Sequence, residues 1–186
     1  DRPFYYSLYS LKKLFSKKDM QIVDVKKINA HGGSIRVYIK KNNVKNKISK
    51  NVSSFLNEEK DKLSMGYVKR SFNIFKKEII NLKNNLETFK LQKLNVIGYG
   101  SPARLATITN FGNIDKNLIK FVIDDSPLKM NRFTPGKHIP IKNYKTIKDN
   151  FSGEIILFAY EYYSSINSKF LDSNVNFYKP IPMKKL

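Results

Sequence analysis

The 186-residue sequence contains no cysteine, two histidines and, among its 35 basic residues, five arginines. The absence of cysteine excludes a disulfide framework, a thiolate zinc site and a cysteine nucleophile within these residues. His31 and His138 are too few for a histidine-rich metal cluster. No apolar run approaches the roughly 18 residues that a membrane-spanning helix requires, so a membrane span is excluded. Acidic residues are also scarce: 15 Asp and Glu stand against 35 Lys and Arg, a formal net charge of +20. Neither an initiator methionine nor a signal-peptide pattern is present, and the sequence reads as a piece of a longer protein. Hydrophobic residues make up 41%, with 11 Tyr and 13 Phe, which excludes wholesale disorder. The length fits one domain of ordinary size, or a small domain with an appendage.

A strongly basic chain suggests nucleic acid or another polyanion as partner. The kind of basic residue argues otherwise. Thirty are Lys, and Arg occurs only at positions 2, 36, 70, 104 and 132. Asn and Ile occur 20 times each, and Lys, Asn and Ile share AT-rich codons, so genome composition alone produces this bias. Readers of bases and phosphates favour the bidentate guanidinium. The lysines are spread along the chain, and the densest stretch, Lys40 to Lys50, is Asn-rich and reads as a solvated linker. Nucleic acid is therefore not the expected partner. The diffuse positive field would attract any polyanionic ligand, a nucleotide included.

Periodicity divides the chain. Residues 7 to 18 form a predicted amphipathic helix with Leu8, Leu11, Leu14 and Phe15 on one face and Ser7 as its cap. Residues 20 to 28 and 35 to 39 read as two antiparallel strands joined by His31-Gly32-Gly33-Ser34. Helix, strand, turn and strand are too little to bury their own apolar face, and suggest the tail of a larger sheet. Residues 52 to 92 are helical in pattern, broken near Ser64-Met65-Gly66. Phe55, Leu56 and Leu63 mark the first face, and Val68, Phe72, Phe75, Ile79, Leu82, Leu86 and Phe89 the second. From residue 94 short apolar strands alternate with helical segments: Leu94–Ile97, Lys120–Asp125, Ile139–Ile141, Ile155–Phe158 and Asn176–Tyr178, with helices to about Phe111 and over 144 to 150 and 162 to 172. That alternation predicts a small, parallel, doubly wound sheet.

Several stretches carry candidate chemistry. Leu94–Ile97 runs into Gly98-Tyr99-Gly100-Ser101-Pro102-Ala103-Arg104 and then a helix, the geometry that turns backbone N–H groups and a positive helix end toward a phosphate. Ala103 stands where a dinucleotide fingerprint has its third glycine, Pro102 suits a first helical turn, and Arg104 is available to a phosphate. Asp124 ends the next strand at a distance suited to a ribose hydroxyl. The other reading is a glycine turn of a Rossmann-like scaffold with no ligand. Asp124 to Lys129 and Thr134 to His138 form a long loop assigned to the carboxyl edge of the sheet. Asp124-Asp125 lacks partners for a metal site, and His138 also reads as a packed or surface residue. His31 could place an imidazole at the mouth of a site, or be an exposed turn residue. Tyr5-Tyr6-Ser7 is an aromatic approach to the first helix, or a hydrophobic staple.

As a set and in order, His31 to Arg36, the long helical segment, Gly98 to Arg104, Asp124 to Pro127 and Thr134 to Pro140 resemble the carboxyl-terminal half of the sugar C-methyltransferase family. The resemblance covers nearly the whole chain. It implies enzymes that methylate a carbon of a nucleotide-linked keto-sugar with S-adenosylmethionine, built from a small zinc-binding domain, a cofactor domain and a carboxyl-terminal α/β domain. On this resemblance residues 1–40 are the tail of a class I methyltransferase domain. Residues 41–92 are a linker and helical connection, and 93–186 a carboxyl-terminal Rossmann-like α/β domain. The fold class implied is α/β, a Rossmann-like parallel sheet preceded by a long helical segment and a partial methyltransferase-sheet tail. The cofactor site and the zinc cysteines would lie upstream, with no cofactor or metal site within this chain. One departure stands out: the family has a Glu-His pair before the aromatic-Ser motif, where this chain has Asp1-Arg2, and Arg cannot serve as a base at neutral pH.

The family reaction removes a proton beside a ketone, and the enolate attacks the methyl group. It needs a base, a stabiliser for the enolate oxygen and an anchor for the nucleotide. The resemblance implies acceptor binding by Gly98, Tyr99, Gly100, Ser101, Arg104, Asp124, Lys129 and His138, with His31 and Tyr5 nearest the chemistry. The expected partner is a nucleotide-linked sugar or similar small molecule, with no membrane and a cytoplasmic setting. The isolated chain is expected to be inactive and to bind S-adenosylmethionine negligibly. Two rivals are a non-catalytic Rossmann-like nucleotide module and an RNA-binding fragment.

Overall fold

Serine and glutamate set the start of the first helix. α1 (Leu8–Ser16) is capped by Ser7, whose hydroxyl accepts the Ser10 N–H at 3.0 Å while the Ser10 hydroxyl accepts the Ser7 N–H at 2.9 Å. The computed structural model describes residues 4–30, 33–147, 151–171 and 173–186. After α1 come β1 (Met20–Ile28), β2 (Ser34–Lys41) and α2 (Lys50–Lys62). β1 and β2 pair antiparallel with Val25 opposite Val37 and a bulge between Ile22 and Asp24. Glu59 of α2 reaches α1, its two oxygens accepting the Leu8 and Tyr9 N–H groups at 2.7 and 2.9 Å. A carboxylate there satisfies two orphan donors and complements the positive helix end. Leu8, Ile22, Val25 and Val52 form the core, with Leu11, Phe15, Val37, Phe55 and Leu56 against it. Leu14, expected on that face, is exposed because it falls at the edge of the stripe that Leu8, Leu11 and Phe15 define. Leu63 is likewise exposed, and Val52 takes the buried place on α2.

Contacts divide the chain into two compact units, residues 1–72 and 73–186. The boundary falls within α3 (Met65–Leu91), whose buried residues Ile79, Leu82 and Leu86 belong to the second unit. Val68 and Phe72 of the same predicted stripe are half-exposed. The second unit continues with β3 (Val96–Tyr99), α4 (Ala103–Phe111), β4 (Val122–Ile123), β5 (Ile141–Lys142), β6 (Gly153–Leu157), α5 (Tyr163–Asn167), β7 (Val175–Pro180) and β8 (Met183–Lys185). The sheet order is β5-β4-β3-β6-β7-β8, parallel except for β8, as the α/β reading expects. Side chains alternate between its faces. Val96, Val122, Ile156 and Phe158 pack with α3 and α4, while Ile97, Tyr99, Ile123, Ile155 and Leu157 pack with Ile166, Phe170 and Phe177.

Three local expectations change. The leading strand, expected over Leu94–Ile97, is Val96–Tyr99, and Gly98 lies inside it, where a Cβ would lie 3.0 Å from Val122 and 3.2 Å from Phe158. Its lack of a side chain serves packing inside the sheet. The helical segments predicted at 144 to 150 and 162 to 172 are a single 3-10 turn (Tyr144–Thr146) and a succession of short turns around α5, while 148–150 and 172 lie outside the described residues. Segments this short nucleate poorly as isolated helices. β8 was absent from the sequence reading; it folds back antiparallel on β7 after Ile181-Pro182.

Candidate ligand site

β3 and β6 are neighbours, yet the chain leaves β3 toward β4 and β5 on one side and leaves β6 toward β7 on the other. Outside their carboxyl ends such a reversal opens a crevice, where ligands of open α/β sheets bind. Here it is a cavity of about 330 Å³ lined by Tyr99, Gly100, Ser101, Asp124, Asp125, Lys129, Tyr162 and Ser165, among others. A larger cleft of about 640 Å³ between α1 and α2 lies in the first unit, lined by Tyr9, Leu56, Leu63 and three lysines, among others. The crevice is the stronger site because its polar groups converge and are held in place.

Gly100 makes the turn. Its φ is +83°, and a Cβ there would lie 2.4 Å from the Ala159 Cβ, so the ends of β3 and β6 meet only through a glycine. Its N–H donates to the Ile123 carbonyl at 2.7 Å. The next N–H, of Ser101, donates to Asp124 Oδ2 at 2.7 Å, and the Ser126 N–H donates to Asp124 Oδ1 at 2.9 Å. Lys129 Nζ lies 3.3 Å from Asp124 Oδ2 and donates to the Ser101 carbonyl at 3.0 Å. Asp124 is buried and clips the glycine turn to the loop after β4. Its carboxylate occupies the donor that the phosphate reading reserved for a ligand.

Asp125 is arranged differently. The Tyr99 hydroxyl donates to its two oxygens at 3.1 and 3.0 Å, and Lys169 Nζ contacts Oδ2 at 2.8 Å. Lys169 also donates to the Tyr99 oxygen at 3.0 Å. Burial pushes the Tyr99 phenol up to about 12, with the Asp125 charge adding to it and Lys169 opposing, so Tyr99 stays protonated and remains a donor. The Asp125 side chain is 54% exposed and faces the cavity. A carboxylate has about four acceptor positions, so two fixed donors leave it able to accept more.

The other sequence-assigned residues do not gather here. The Arg104 guanidinium pairs with Glu161 at 2.5 Å, lies over the Tyr160 ring at 4.6 Å and is not part of the cavity wall. Pro102 is the N-cap of α4, one position before the assigned first turn. Thr134 to His138 was assigned to the carboxyl edge of the sheet. It lies instead against the far end of α4, where Asn110 donates to the Pro135 carbonyl at 2.9 Å, just before β5 begins. Exposed His138 is thus at the opposite edge of the sheet from Gly100. Tyr5 is 83% exposed on the first unit, beside Glu58, Glu59 and Lys62. His31 and Gly32, and the Asp1-Arg2 pair, lie outside the described residues. Lys169, Tyr162 and Ser165 were missed by the sequence reading. A tyrosine-rich run following a strand at the carboxyl edge was the signal available.

Among the described residues no group of His, Asp and Glu could hold a metal ion. The first unit offers S-adenosylmethionine no glycine-rich strand-to-helix turn among its described residues: Gly33 lies at the hairpin and Gly66 in α3. The described residues of the first unit therefore do not fit the cofactor. No helix among them is long and apolar enough to cross a membrane.

Strand order, switch-point crevice and glycine turn together define a Rossmann-type α/β domain with a crevice at the carboxyl edge of its sheet. Comparison with known proteins specifies it further. The chain belongs to the C-methyltransferase C-terminal domain family, which it matches over residues 29–182. It is also similar to the C-methyltransferase NovU of Streptomyces niveus, 26% identical over 183 residues. That match covers 96% of this chain and 44% of the relative, so the chain spans under half the length of the relative.

Proposed function

We propose that this chain is the acceptor-binding part of an S-adenosylmethionine-dependent C-methyltransferase, a cytoplasmic enzyme that methylates a carbon of a nucleotide-linked keto-sugar. The cavity at the β3/β6 switch point carries this reading, because it lies inside the region that matches the C-methyltransferase family. On this reading the cofactor and a zinc-binding domain belong to other parts of the enzyme, and this domain holds the acceptor while the methyl group is delivered. The groups that face the cavity are fixed donors and acceptors, which orient a ligand without taking part in proton transfer. An enolate formed next to the ketone needs such orientation to present one carbon to the methyl donor.

The test uses the full-length enzyme with S-adenosylmethionine and nucleotide-linked 4-keto sugars. Expected is transfer of one methyl group to carbon, seen by mass spectrometry. It should be accompanied by exchange of the adjacent proton with deuterated solvent when the cofactor is withheld. The isolated 186-residue chain should bind the nucleotide-linked sugar by calorimetry and show negligible affinity for S-adenosylmethionine. Cofactor binding without any acceptor turnover or binding would refute the reading.

A further inference from the structure

Resting on the reading of the switch-point crevice as the acceptor site, we propose that its cavity holds a hydroxylated ring of the acceptor, with Asp125 as the hydroxyl-binding carboxylate, and that the diphosphate is not seated on the glycine turn. The chain as a whole carries +20, but this cavity is locally neutral. Lys129, the lysine of its wall, is matched by Asp124, and the other wall carboxylate, Asp125, is matched by Lys169 from behind the wall. A phosphate on the turn would meet the Asp124 carboxylate at the Ser101 N–H, and Pro102 has no N–H to offer. Arg104 is held to Glu161 and Tyr160. An anion therefore gains little here, whereas a sugar hydroxyl finds acceptors and donors already in place.

Adjacent aspartates have separate roles. Asp124 has both oxygens taken by backbone N–H groups and is buried, so it cannot turn to a ligand without undoing the turn. Asp125 is pinned by Tyr99 and Lys169 yet half-exposed, with acceptor positions directed to the cavity. The Tyr162 ring, 67% exposed on the cavity wall, offers a flat apolar face to the C–H side of a ring, and Ser165 adds a hydroxyl. The volume of about 330 Å³ is near the lower bound of ~300–1,000 Å³ for ligand pockets and suits one ring better than a whole nucleotide-linked sugar. The ring is the ribose of the nucleotide or the carried sugar; both present the same hydroxyl chemistry.

Calorimetric titration of the full chain with uridine, thymidine, their 5′-diphosphates, glucose and inorganic pyrophosphate tests this. A ring-bearing probe is expected to bind, and pyrophosphate neither to bind nor to compete. Binding by nucleosides assigns the ribose, and binding by glucose alone assigns the carried sugar. Asp125→Ala should weaken the ring-bearing probe about 10- to 100-fold, the range for a hydrogen bond to a charged group. Tyr162→Ala, on an exposed wall residue, should weaken it as well with unchanged melting temperature, and Arg104→Ala should leave it within about twofold. Pyrophosphate competing as well as the nucleoside diphosphates, with Arg104→Ala abolishing binding and Asp125→Ala neutral, would overturn this inference and leave the acceptor-site reading standing. If no probe binds and Asp125→Ala leaves the acceptor KM of the full-length enzyme unchanged, the acceptor-site reading fails and this inference with it.

Discussion

Asp124 and Asp125 are neighbours in sequence with opposite duties, and the difference comes from what each touches. Removing the Asp124 carboxylate leaves the Ser101 and Ser126 N–H groups without their acceptor and Lys129 without its counter-charge. A group left unsatisfied in that way costs about 1–3 kcal/mol, so Asp124→Ala should lower the melting temperature of the chain by several degrees. Gly100→Ala should be at least as damaging and independent of any ligand, because the new Cβ meets the Ala159 Cβ at 2.4 Å at a φ of +83°. Thermal melts of both variants, with and without a bound ring-bearing probe, check this. A Gly100→Ala protein as stable as the parent chain would show that the turn relaxes, and would remove the structural account of this glycine. The sequence reading correctly picks out this turn, since glycine spacing is local. It assigns the ribose contact to Asp124 because spacing alone cannot say which of two adjacent carboxylates is already taken by backbone.

At the scale of elements, α2 is tied to β1 by charge as well as by Val52. Glu58 accepts from Lys27 of β1 at 2.9 Å and from Lys62 one turn along α2 at 2.5 Å. These hydrogen bonds, Lys62 first and Lys27 second, hold its carboxyl down at about 2. A carboxyl with a lowered value stabilises the fold above its ordinary value near 4.5 and loses that contribution as pH falls through about 2. Melting temperature should therefore decline over that window, and Glu58→Gln should flatten the decline. High salt should mute the difference, since the pair is exposed and screened. An identical acid profile in Glu58→Gln at low salt would remove Glu58 from the account. The helices themselves are legible in sequence, with their break near Ser64, because a 3.6-residue period is a local signal. Their partners are less so. The apolar stripe of α3 looks uniform from Val68 to Phe89, but only Ile79, Leu82 and Leu86 are fully covered, because burial depends on which strands face the helix.

For the whole molecule, a net +20 and a neutral cavity predict two kinds of binding with different salt dependence. Oligonucleotides should adhere at low salt and release steeply between about 50 and 200 mM, the behaviour of a lysine surface displacing counterions. An uncharged ring-bearing probe, a nucleoside or glucose, should bind in the switch-point cavity with nearly constant affinity over the same range, because neither it nor its site carries net charge. Titrations at several salt concentrations distinguish the two, and a steep salt dependence for an uncharged nucleoside or glucose would contradict the neutral cavity. Composition and period by themselves determine the absence of thiolate chemistry within these residues, the helices up to residue 92, and the succession of short apolar strands that makes a mainly parallel α/β sheet. All of these depend on residue types and on neighbours within a few positions. Tertiary structure alone decides the site. Ser101 meets Asp124 across 23 residues, Tyr99 meets Asp125 across 26 and Lys169 across 70. Strand register and loop path set those encounters, and they also carry His138 to the far edge of the sheet and turn Arg104 to Glu161. Local pattern contains no term for contacts so distant along the chain, so the residues that line the crevice emerge only once β3, β4 and β6 lie side by side.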